Sequence, residues 1–383
     1  MATFLTGSTG YLGSYVVQGL LRSSDERLAL LVRAENELAA HQRLWRALQL
    51  HMDFEEFKSY LHDRIDVYLG DITEPRLGLG TTQYRRLMRE TDSVLHIAAS
   101  LNRKSEKSCL NVNLRGTLAV AKLACAAQAH HGLRRFSDVS TTAVAGHRQG
   151  ETIYEDSAIE WGRSDYDPYA RSKKFCEHMV HELLPDVPVT VFRPSIVLGD
   201  SQRAETTQFD MLRAFAFLAR LLVIPVAPTA RLDIVPADYV GRAIVAIHRQ
   251  ENPSHTTYHL SAGHGSQTAA QIVSGLRLFG RPLPGRLVGA LAEPTGRLSQ
   301  LLADTPRSWG VSRAASLLKV FWPYITFDTI FDNSRVVEAL GEAPAQCTSY
   351  MSPVLDFGVQ TGFSYPYQPW PVSQSLEAAP SLP

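Results

Sequence analysis

The sequence has no net charge, few cysteines and no long hydrophobic run. Lys plus Arg and Asp plus Glu each number 38 among 383 residues, so the charge balance does not indicate a nucleic-acid partner. Four cysteines lie far apart without a CxxC pair, which argues against a zinc site or a disulfide framework. No apolar run is long enough for a membrane span, and no signal-peptide pattern precedes the first strand. We expect a cytoplasmic protein with reduced thiols, no metal and no transmembrane segment.

Three glycines follow a short apolar segment at the start of the chain. Gly7, Gly10 and Gly13 come directly after residues 2–6. Glycines here let the chain leave a strand at positive φ, let backbone approach a pyrophosphate, and let the next helix pack closely. That helix, from Tyr11 to about residue 21, points its N-terminus at the phosphates. The turn therefore predicts a dinucleotide cofactor, and its spacing resembles the TGxxGxxG turn of the extended short-chain dehydrogenase/reductase superfamily.

Apolar strands and helix-prone segments alternate through the first half of the chain. Strands are predicted at 28–32, 65–69, 93–98, 135–140 and 189–193. The alternation predicts an α/β fold, a Rossmann-type doubly wound parallel sheet with helices on both faces.

We divide the chain into a cofactor domain, a substrate lobe and a tail. Residues 1–200 are assigned to an NADP-binding Rossmann domain, to which 231–250 return. A smaller, mostly helical substrate-binding lobe is assigned to 201–230 and 251–364. The tail, 365–383, is rich in proline, and we expect its last dozen residues to be disordered or to lie along the surface.

Arg33 follows the second predicted strand, where dinucleotide-binding proteins hold the adenosine ribose. An acidic residue at this place binds the 2′-hydroxyl of NAD, whereas an arginine suits the additional phosphate of NADP, so we predict NADPH. An ordinary surface cation is the alternative. Asp71 ends the third strand, where its carboxylate can accept from the adenine amino group or cap a turn.

Tyr169 and Lys173 are the candidate catalytic pair. On a helix, an offset of four residues places the hydroxyl and the ammonium on one face, where the cation is expected to lower the tyrosine pKa. Such a tyrosine can donate its proton to a carbonyl oxygen as hydride arrives, and Lys173 can also hold the nicotinamide ribose. The pair also occurs on solvated helix faces, but its position downstream of a phosphate-binding turn favours catalysis.

Several segments resemble thioester reductases and fatty acyl-CoA reductases more narrowly. The stretch GDITEPRLGL at 70–79 is similar to the GDxxxPxLGL signature of those groups, and 96–99, 113–117 and 193–197 follow in their order. The resemblance covers about the first 250 residues; beyond them 323–325 and 331–333 look like acyl reductases more weakly. It implies NADPH-dependent reduction of an acyl-CoA or acyl-carrier-protein thioester to an aldehyde, with further reduction to an alcohol undecided.

The resemblance also implies site residues. The comparable superfamily segment places a catalytic hydroxyl five residues before a glycine, which selects Thr141 before Gly146, with Ser140 and Thr142 as alternatives. Thr141 would hydrogen-bond the substrate carbonyl beside Tyr169. His147 is interpreted as a polar surface residue rather than a base. The predicted cofactor contacts are Thr6, Gly7, Thr9, Gly10, Tyr11, Leu12, Gly13, Arg33, Asp71, Ile72, Ala98, Ala99, Asn113, Tyr169, Lys173, Arg193, Pro194 and Ser195.

The substrate side leaves alternatives open. The apolar stretch 209–222 suits an acyl channel, but core packing is favoured for most of it. Residues 317–322 are apolar and aromatic and suit a lid or peripheral contact with a membrane. Arg103, Lys104 and Lys107 either meet a coenzyme A or carrier phosphate or are solvated charges.

Three classes of function remain from sequence alone. The first is the thioester reductase; the second is a reductase or epimerase acting on a sugar-nucleotide, steroid or flavonoid carbonyl; the third is a cofactor-binding regulator. The trio of Thr141, Tyr169 and Lys173 argues against the third. The early glycine turn suggests a stand-alone reductase whose thioester comes from another molecule. Acyl length, donor and oligomeric state are undecided.

Overall fold

A computed structural model of the protein describes residues 1–303, Trp322, Tyr324 and 328–371. Its centre is a seven-stranded sheet in which every neighbouring pair is parallel. The predicted parallel α/β sheet is therefore confirmed, and the predicted strand ends agree within two residues. The strands are β1 (Ala2–Thr6), β2 (Arg27–Val32), β3 (Ile65–Leu69), β4 (Thr91–His96), β5 (Arg135–Val139), β6 (Val189–Pro194) and β7 (Thr257–Leu260).

The strand order reverses next to β1. The sheet runs β7-β6-β5-β4-β1-β2-β3, so the chain moves outward from β1 to β3 and then returns to β4 on the other side of β1. In open α/β sheets, ligands bind outside the carboxyl ends of the strands at such a switch point. The glycine turn follows β1 directly, which places it at this crevice.

Helices cover both faces of the sheet. Successive side chains of a strand point to opposite faces, and in β1 and its neighbours both sets are apolar, so both faces must be buried. Leu5 packs with one buried cluster and Phe4 with the other. The first cluster includes residues of Tyr11–Ser23, Glu37–Leu48, Phe54–Asp63, Ala237–Arg249 and Ser334–Leu340; the second includes residues of Thr81–Glu90, Arg115–His131 and Pro168–Leu183.

Shorter elements complete the described chain. Further helices are Glu106–Cys109, a π-helical turn Leu110–Leu114, Asp210–Leu218, Ala269–Gly275, Ala292–Ala303 and Cys347–Gln360, with 3₁₀ turns at Pro75–Gly78, Thr142–Ala145, Gly263–Gly265 and Gly289–Leu291. Two-residue strands pair as Thr152–Ile153 with Ile330–Phe331, Ile196–Val197 with Ile234–Val235, Val223–Ile224 with Arg286–Leu287, Arg231–Leu232 with Gln267–Thr268, and Arg277–Leu278 with Arg281–Pro282.

A separate apolar cluster forms around Asp210–Leu218 and Cys347–Gln360. Met211, Leu212, Phe215 and Leu218 are all buried in it. Met211 also lines a cleft at the edge of the sheet. The core interpretation is thus confirmed for Leu212, Phe215 and Leu218, whereas Phe217 and Leu222 from the same stretch are exposed. The physical reason is the helical period, which turns one face of the segment inward.

Two predicted segments lie mainly outside the described residues. Of the predicted lid or membrane-contact segment, 317–321 are not described, and neither are 372–383 of the tail. Pro323 and Ile325 of the more weakly similar segment are also outside. In the described part of the tail, the Trp370 and Phe54 rings pack nearly perpendicular to each other, with their centroids 5.1 Å apart. Within the described chain, every helix is too short or too polar to pass through a bilayer.

Candidate active site

A cleft of about 1290 Å³ opens at the carboxyl edge of the sheet. It brings together the glycine turn and the segments that follow β2 to β6. Of the predicted catalytic and cofactor residues, those that line it are Thr6, Gly7, Thr9, Gly10, Tyr11, Leu12, Gly13, Arg33, Asp71, Ile72, Ala98, Ala99, Thr141, Tyr169, Pro194 and Ser195. Asn113, Lys173 and Arg193 are not among the lining residues.

The glycine turn is shaped by close backbone contacts. Gly7 has φ +83°, and a Cβ on it would lie 2.7 Å from the Ala98 backbone nitrogen. A Cβ on Gly13 would lie 2.0 Å from the Gly7 carbonyl oxygen, so the first turn of the Tyr11–Ser23 helix packs directly on the loop. Gly10 precedes this helix and places no side-chain cap on its N–H groups. The loop thus combines an uncapped helix N-terminus with glycine backbone at the cleft, which suits a pyrophosphate.

Two arginines lie near the end of β2. The Arg33 guanidinium is 3.5 Å from the Asp71 carboxylate and its side chain is 73% exposed. Arg43, in the Glu37–Leu48 helix, donates a hydrogen bond to the Arg33 carbonyl oxygen and also lines the cleft. The sequence analysis did not predict Arg43 as a cleft residue. Its position in the helix that follows β2 could have indicated this role.

Asp71 is held in a turn by Thr73. Its Oδ1 accepts from the Thr73 backbone N–H at 2.9 Å and from the Thr73 hydroxyl at 2.8 Å. Partial burial acts to raise the pKa of Asp71, but these hydrogen bonds and the nearby Arg33 bring it below its ordinary value. The turn-capping role is therefore present, and the carboxylate also faces the cleft.

Tyr169 and Lys173 lie in the Pro168–Leu183 helix. The helix begins where Asp167 Oδ1 accepts from the Ala170 backbone N–H at 2.8 Å and Pro168 occupies the first turn. Tyr169 lines the cleft and is 7% exposed. Lys173 is buried behind it; its Nζ donates to the Val139 carbonyl oxygen at 2.6 Å and lies 3.9 Å from Asp138 Oδ1.

Burial dominates the acidity of Tyr169. Desolvation raises its pKa above the ordinary value, while the positive charges of Lys173 and Arg103 act to lower it. Lys173 acts to lower the pKa of Tyr169 as expected, but the expected net lowering of this pKa is wrong, because the buried hydroxyl loses more solvation than the cations return. The tyrosine is consequently protonated at neutral pH.

Thr141 stands at the end of β5 with its side chain in the cleft. Its Oγ1 accepts from the Ala143 backbone N–H at 3.3 Å and so caps the Thr142–Ala145 turn. Thr142 also lines the cleft, and so does Ser140, whose buried Oγ has no hydrogen-bond partner among the described residues. All three residues considered from sequence therefore line the cleft, although the Ser140 hydroxyl is buried.

His147 lies outside this group. It is exposed, and its ring packs on Tyr166 at a centroid distance of 4.3 Å. It does not line the cleft. Its surroundings fit the surface interpretation rather than a general base.

Asn113 and Arg193 are used behind the cleft. The Asn113 carboxamide accepts from the Ser100 backbone N–H at 2.6 Å and donates to Ser172 Oγ at 2.8 Å. Arg193 forms a buried ion pair with Glu177 at 2.7 Å. The first joins the loop after β4 to the Pro168–Leu183 helix, and the second joins that helix to β6. Neither side chain therefore faces the cleft directly. Both residues support the residues that line it.

Arg103 takes a place that sequence reasoning did not foresee. Its Nε lies 3.2 Å from Asp167 Oδ2, and its guanidinium carbon is 5.4 Å from the centre of the Tyr169 ring. It lines the cleft, as does the exposed Lys104, whereas Lys107 is exposed and lies outside the lining. Tyr324 joins this group from far along the chain, which no local motif could indicate.

Comparisons with known proteins agree with this architecture. Residues 5–244 match the family described as "Male sterility protein". The solved terminal R domain from the myxalamid PKS-NRPS biosynthetic pathway is 27% identical, with a TM-score of 0.78 over 94% of this chain and 91% of that one. The reductase domain of a nonribosomal peptide synthetase from Mycobacterium tuberculosis shares the fold at 24% identity and a TM-score of 0.71, covering 94% and 92% of the two chains.

Curated relatives are far longer proteins. A linear gramicidin synthase of Brevibacillus parabrevis is 29% identical over 263 residues, which is 68% of this chain and 5% of that protein. Isonitrile lipopeptide synthase of Mycobacterium tuberculosis is 29% identical over 295 residues, 68% of this chain and 11% of its own length. The chain thus spans a small part of these relatives. It belongs to the male sterility protein family, as an extended short-chain dehydrogenase/reductase resembling thioester reductases.

Proposed function

We propose that this chain is an NADPH-dependent reductase that releases an acyl or peptidyl group from a carrier-protein thioester as an aldehyde. The observation that carries the proposal is one cleft lined by the glycine turn, by Arg33 and by the hydroxyls of Thr141 and Tyr169. Membership of the family and likeness to a terminal R domain support it. The proposed oxidoreductase chemistry needs both halves of the cleft. We call the part at the glycine turn and Arg33 the cofactor half, and the part at Thr141 and Tyr169 the acid half.

The cofactor half fits a dinucleotide. A Cβ at Gly7 or Gly13 would collide with backbone atoms of Ala98 or of Gly7, so glycine at both places keeps the turn close to the sheet and to the helix N-terminus that faces the pyrophosphate. Arg33 and Arg43 are two cations at the end of β2, where the ribose 2′-phosphate of NADPH lies in this fold. When bound, NADPH supplies a hydride to the thioester carbonyl carbon.

The chain's own residues act on the carbonyl oxygen. The Thr141 hydroxyl donates a hydrogen bond to it, and Tyr169 transfers its proton as negative charge develops there. Lys173 stabilises the resulting phenolate from behind. The tetrahedral thiohemiacetal then loses the carrier thiol and leaves the aldehyde. In total, one thioester, one NADPH and one proton give one aldehyde, one thiol and one NADP⁺.

A carrier-bound donor is preferred over acyl-CoA because curated relatives are named as peptide synthases. We assign the delivery of substrate to the side of the cleft formed by Met211 and Arg213, in the predicted substrate lobe. The predicted domain limits and cytoplasmic location remain predictions.

The deciding experiment offers the purified chain NADPH or NADH with three substrates: an acyl group on a phosphopantetheinylated carrier protein, the same acyl group on coenzyme A, and UDP-glucuronic acid. NADPH consumption, thiol release and trapped aldehyde are followed together. We expect NADPH and thiol to change in equal amounts with the carrier substrate, and twice as much NADPH if an alcohol is formed. Tyr169→Phe should abolish turnover and leave NADPH binding intact. Conversion of the sugar nucleotide without any thioester reduction would refute the proposal.

A further inference from the structure

Arg103 lies between two tyrosine rings at the acid half of the cleft. Its guanidinium carbon is 5.4 Å from the centre of the Tyr169 ring and 4.7 Å from that of Tyr324. Both distances are within reach of a cation–π contact. The side chain is mostly enclosed, with 18% exposure. Arg103 is therefore a partly desolvated cation next to the proposed proton donor.

Asp167 fixes the position of this arginine. One carboxylate oxygen caps the helix that carries Tyr169, through the Ala170 backbone N–H at 2.8 Å. The other lies 3.2 Å from Arg103 Nε and accepts from the Tyr324 hydroxyl at 2.8 Å. One residue thus joins the arginine to the start of the catalytic helix. The guanidinium keeps its place relative to Tyr169 because both are held by the same helix end.

Lys173 does not act on Tyr169 as an isolated charge. Its ammonium lies 3.9 Å from Asp138 Oδ1, and that aspartate is completely buried. In a low-dielectric interior this carboxylate offsets part of the lysine's field. A second cation near the tyrosine would restore support for a negative phenolate.

We propose that Arg103 is a positioning residue of the reaction: it stabilises the Tyr169 phenolate that forms when the tyrosine hydroxyl gives its proton to the substrate oxygen. This inference rests on the proposed function. In the step, the tyrosine O–H bond breaks, the substrate O–H bond forms, and the negative charge moves to the phenolate. A solvent proton later restores the tyrosine.

The charges around Tyr169 support this role. Burial raises its pKa; Lys173 and Arg103 lower it, and Asp167 and Asp138 raise it. Tyr324 is neutral, because burial holds the pKa of its own hydroxyl well above the ordinary value. Removing Arg103 leaves one cation against two carboxylates.

The test compares Arg103→Met with Arg103→Lys. Arg171→Met is the matched control, since Arg171 lies in the same helix as Tyr169 but is exposed and paired with Asp165 and Glu106. For Arg103→Met we expect kcat to fall about 10- to 100-fold, less than the about 10²- to 10³-fold loss for a donor that contacts the substrate oxygen, because Arg103 acts through Tyr169. The lysine variant should keep most of the activity. NADPH affinity should stay within about twofold, because the cation is not in the cofactor half.

The pH profile separates a charge effect from a structural one. Loss of Arg103 raises the pKa of Tyr169, so the alkaline limit of kcat should move to higher pH in Arg103→Met and less in Arg103→Lys. Unchanged kcat and pH profile in the methionine variant would overturn the inference. So would equal losses in both variants accompanied by weaker NADPH binding, which indicate a purely structural role.

The same variants are assayed with a free aldehyde as well as with the thioester. If the wild type reduces the aldehyde but no thioester, the proposed thioester activity fails while the Arg103 inference is still decided on aldehyde reduction. If the wild type reduces no carbonyl at all, both are refuted, since Tyr169 then donates no proton for Arg103 to support.

Discussion

Replacing Gly13 by alanine should damage the fold as well as the cofactor site. The new methyl carbon would lie 2.0 Å from the Gly7 carbonyl oxygen and 2.8 Å from the Gly7 carbonyl carbon, whereas ordinary contact begins at 3.4 Å. Both obstructing atoms are backbone, so no side chain can turn away. The helix that follows must move off the loop, and it is packed on the Ala237–Arg249 helix and the sheet.

The cost can be set against a matched site. Overpacking of a close contact costs about 1–3 kcal/mol, and the Gly13 overlap belongs at or above the upper end, about 3 kcal/mol. At Gly10 the corresponding carbon would lie 3.2 Å from the Gly7 oxygen, and the residue has φ −85°, which alanine adopts readily. Its stability cost should be about 0.5–1 kcal/mol, the difference between glycine and alanine before a helix.

Chemical denaturation and NADPH titration distinguish the two variants. Gly13→Ala should lower the denaturation midpoint strongly and bind NADPH weakly. Gly10→Ala should unfold almost like the wild type but lose NADPH affinity by about 10-fold or more, because its methyl group occupies the path of the pyrophosphate. A Gly13→Ala protein with wild-type stability and affinity would show that the close packing of loop and helix is not required.

Three further predictions concern charge and burial. Replacing both Arg33 and Arg43 by serine should weaken NADPH binding by about 10-fold or more and leave NADH binding nearly unchanged, as judged by parallel titrations; equal losses would show that neither arginine reads the 2′-phosphate. Asp138→Asn removes a carboxylate that raises the pKa of Tyr169, so the alkaline limit of kcat should move to lower pH, opposite to Arg103→Met; an unchanged limit would mean that Asp138 is uncharged. His248 is fully buried between the hydroxyls of Ser93 and Ser137, and burial, with Arg134 and Arg135, lowers its pKa to about 3. Since the unfolded chain takes up this proton below about pH 6.5 and the folded chain does not, stability is lost as pH falls, by about 2 kcal/mol at pH 5 for this residue. Between pH 7 and pH 5, His248→Gln should therefore lose about 2 kcal/mol less of its free energy of unfolding than the wild type. Identical losses would contradict the lowered pKa of His248.

The sequence predicted the architecture well because its signals are local. Strand periodicity located β2 to β6, and the spacing of Gly7, Gly10 and Gly13 located the cofactor loop before the first helix. At Gly7 and Gly13 an added Cβ would collide with backbone atoms only. The need for glycine there does not depend on distant side chains, so a short sequence motif is enough to predict it. Parallel order also followed from the alternation of strands and helices.

Whether a predicted residue contacts the cleft depends on the direction in which its side chain points. Asn113 and Arg193 were placed in the correct neighbourhood, but their side chains turn into the supporting layer, where Ser100 and Glu177 bind them. A motif gives position along the chain and not the direction of a polar side chain in a crowded interior. Arg103 shows the converse, since its partners come from residues 64 and more than 200 positions away in sequence, Asp167 and Tyr324.

The raised pKa of Tyr169 is compatible with its proposed task. Two ion pairs lie near Tyr169: Lys173 with Asp138, and Arg103 with Asp167. Each pair is nearly neutral as a whole, so burial decides the resting state and keeps the hydroxyl protonated. A general acid must hold its proton until the substrate oxygen becomes basic. The two cations act afterwards, when the proton has left and the phenolate carries a new negative charge, and they therefore assist the transfer without discharging the acid beforehand.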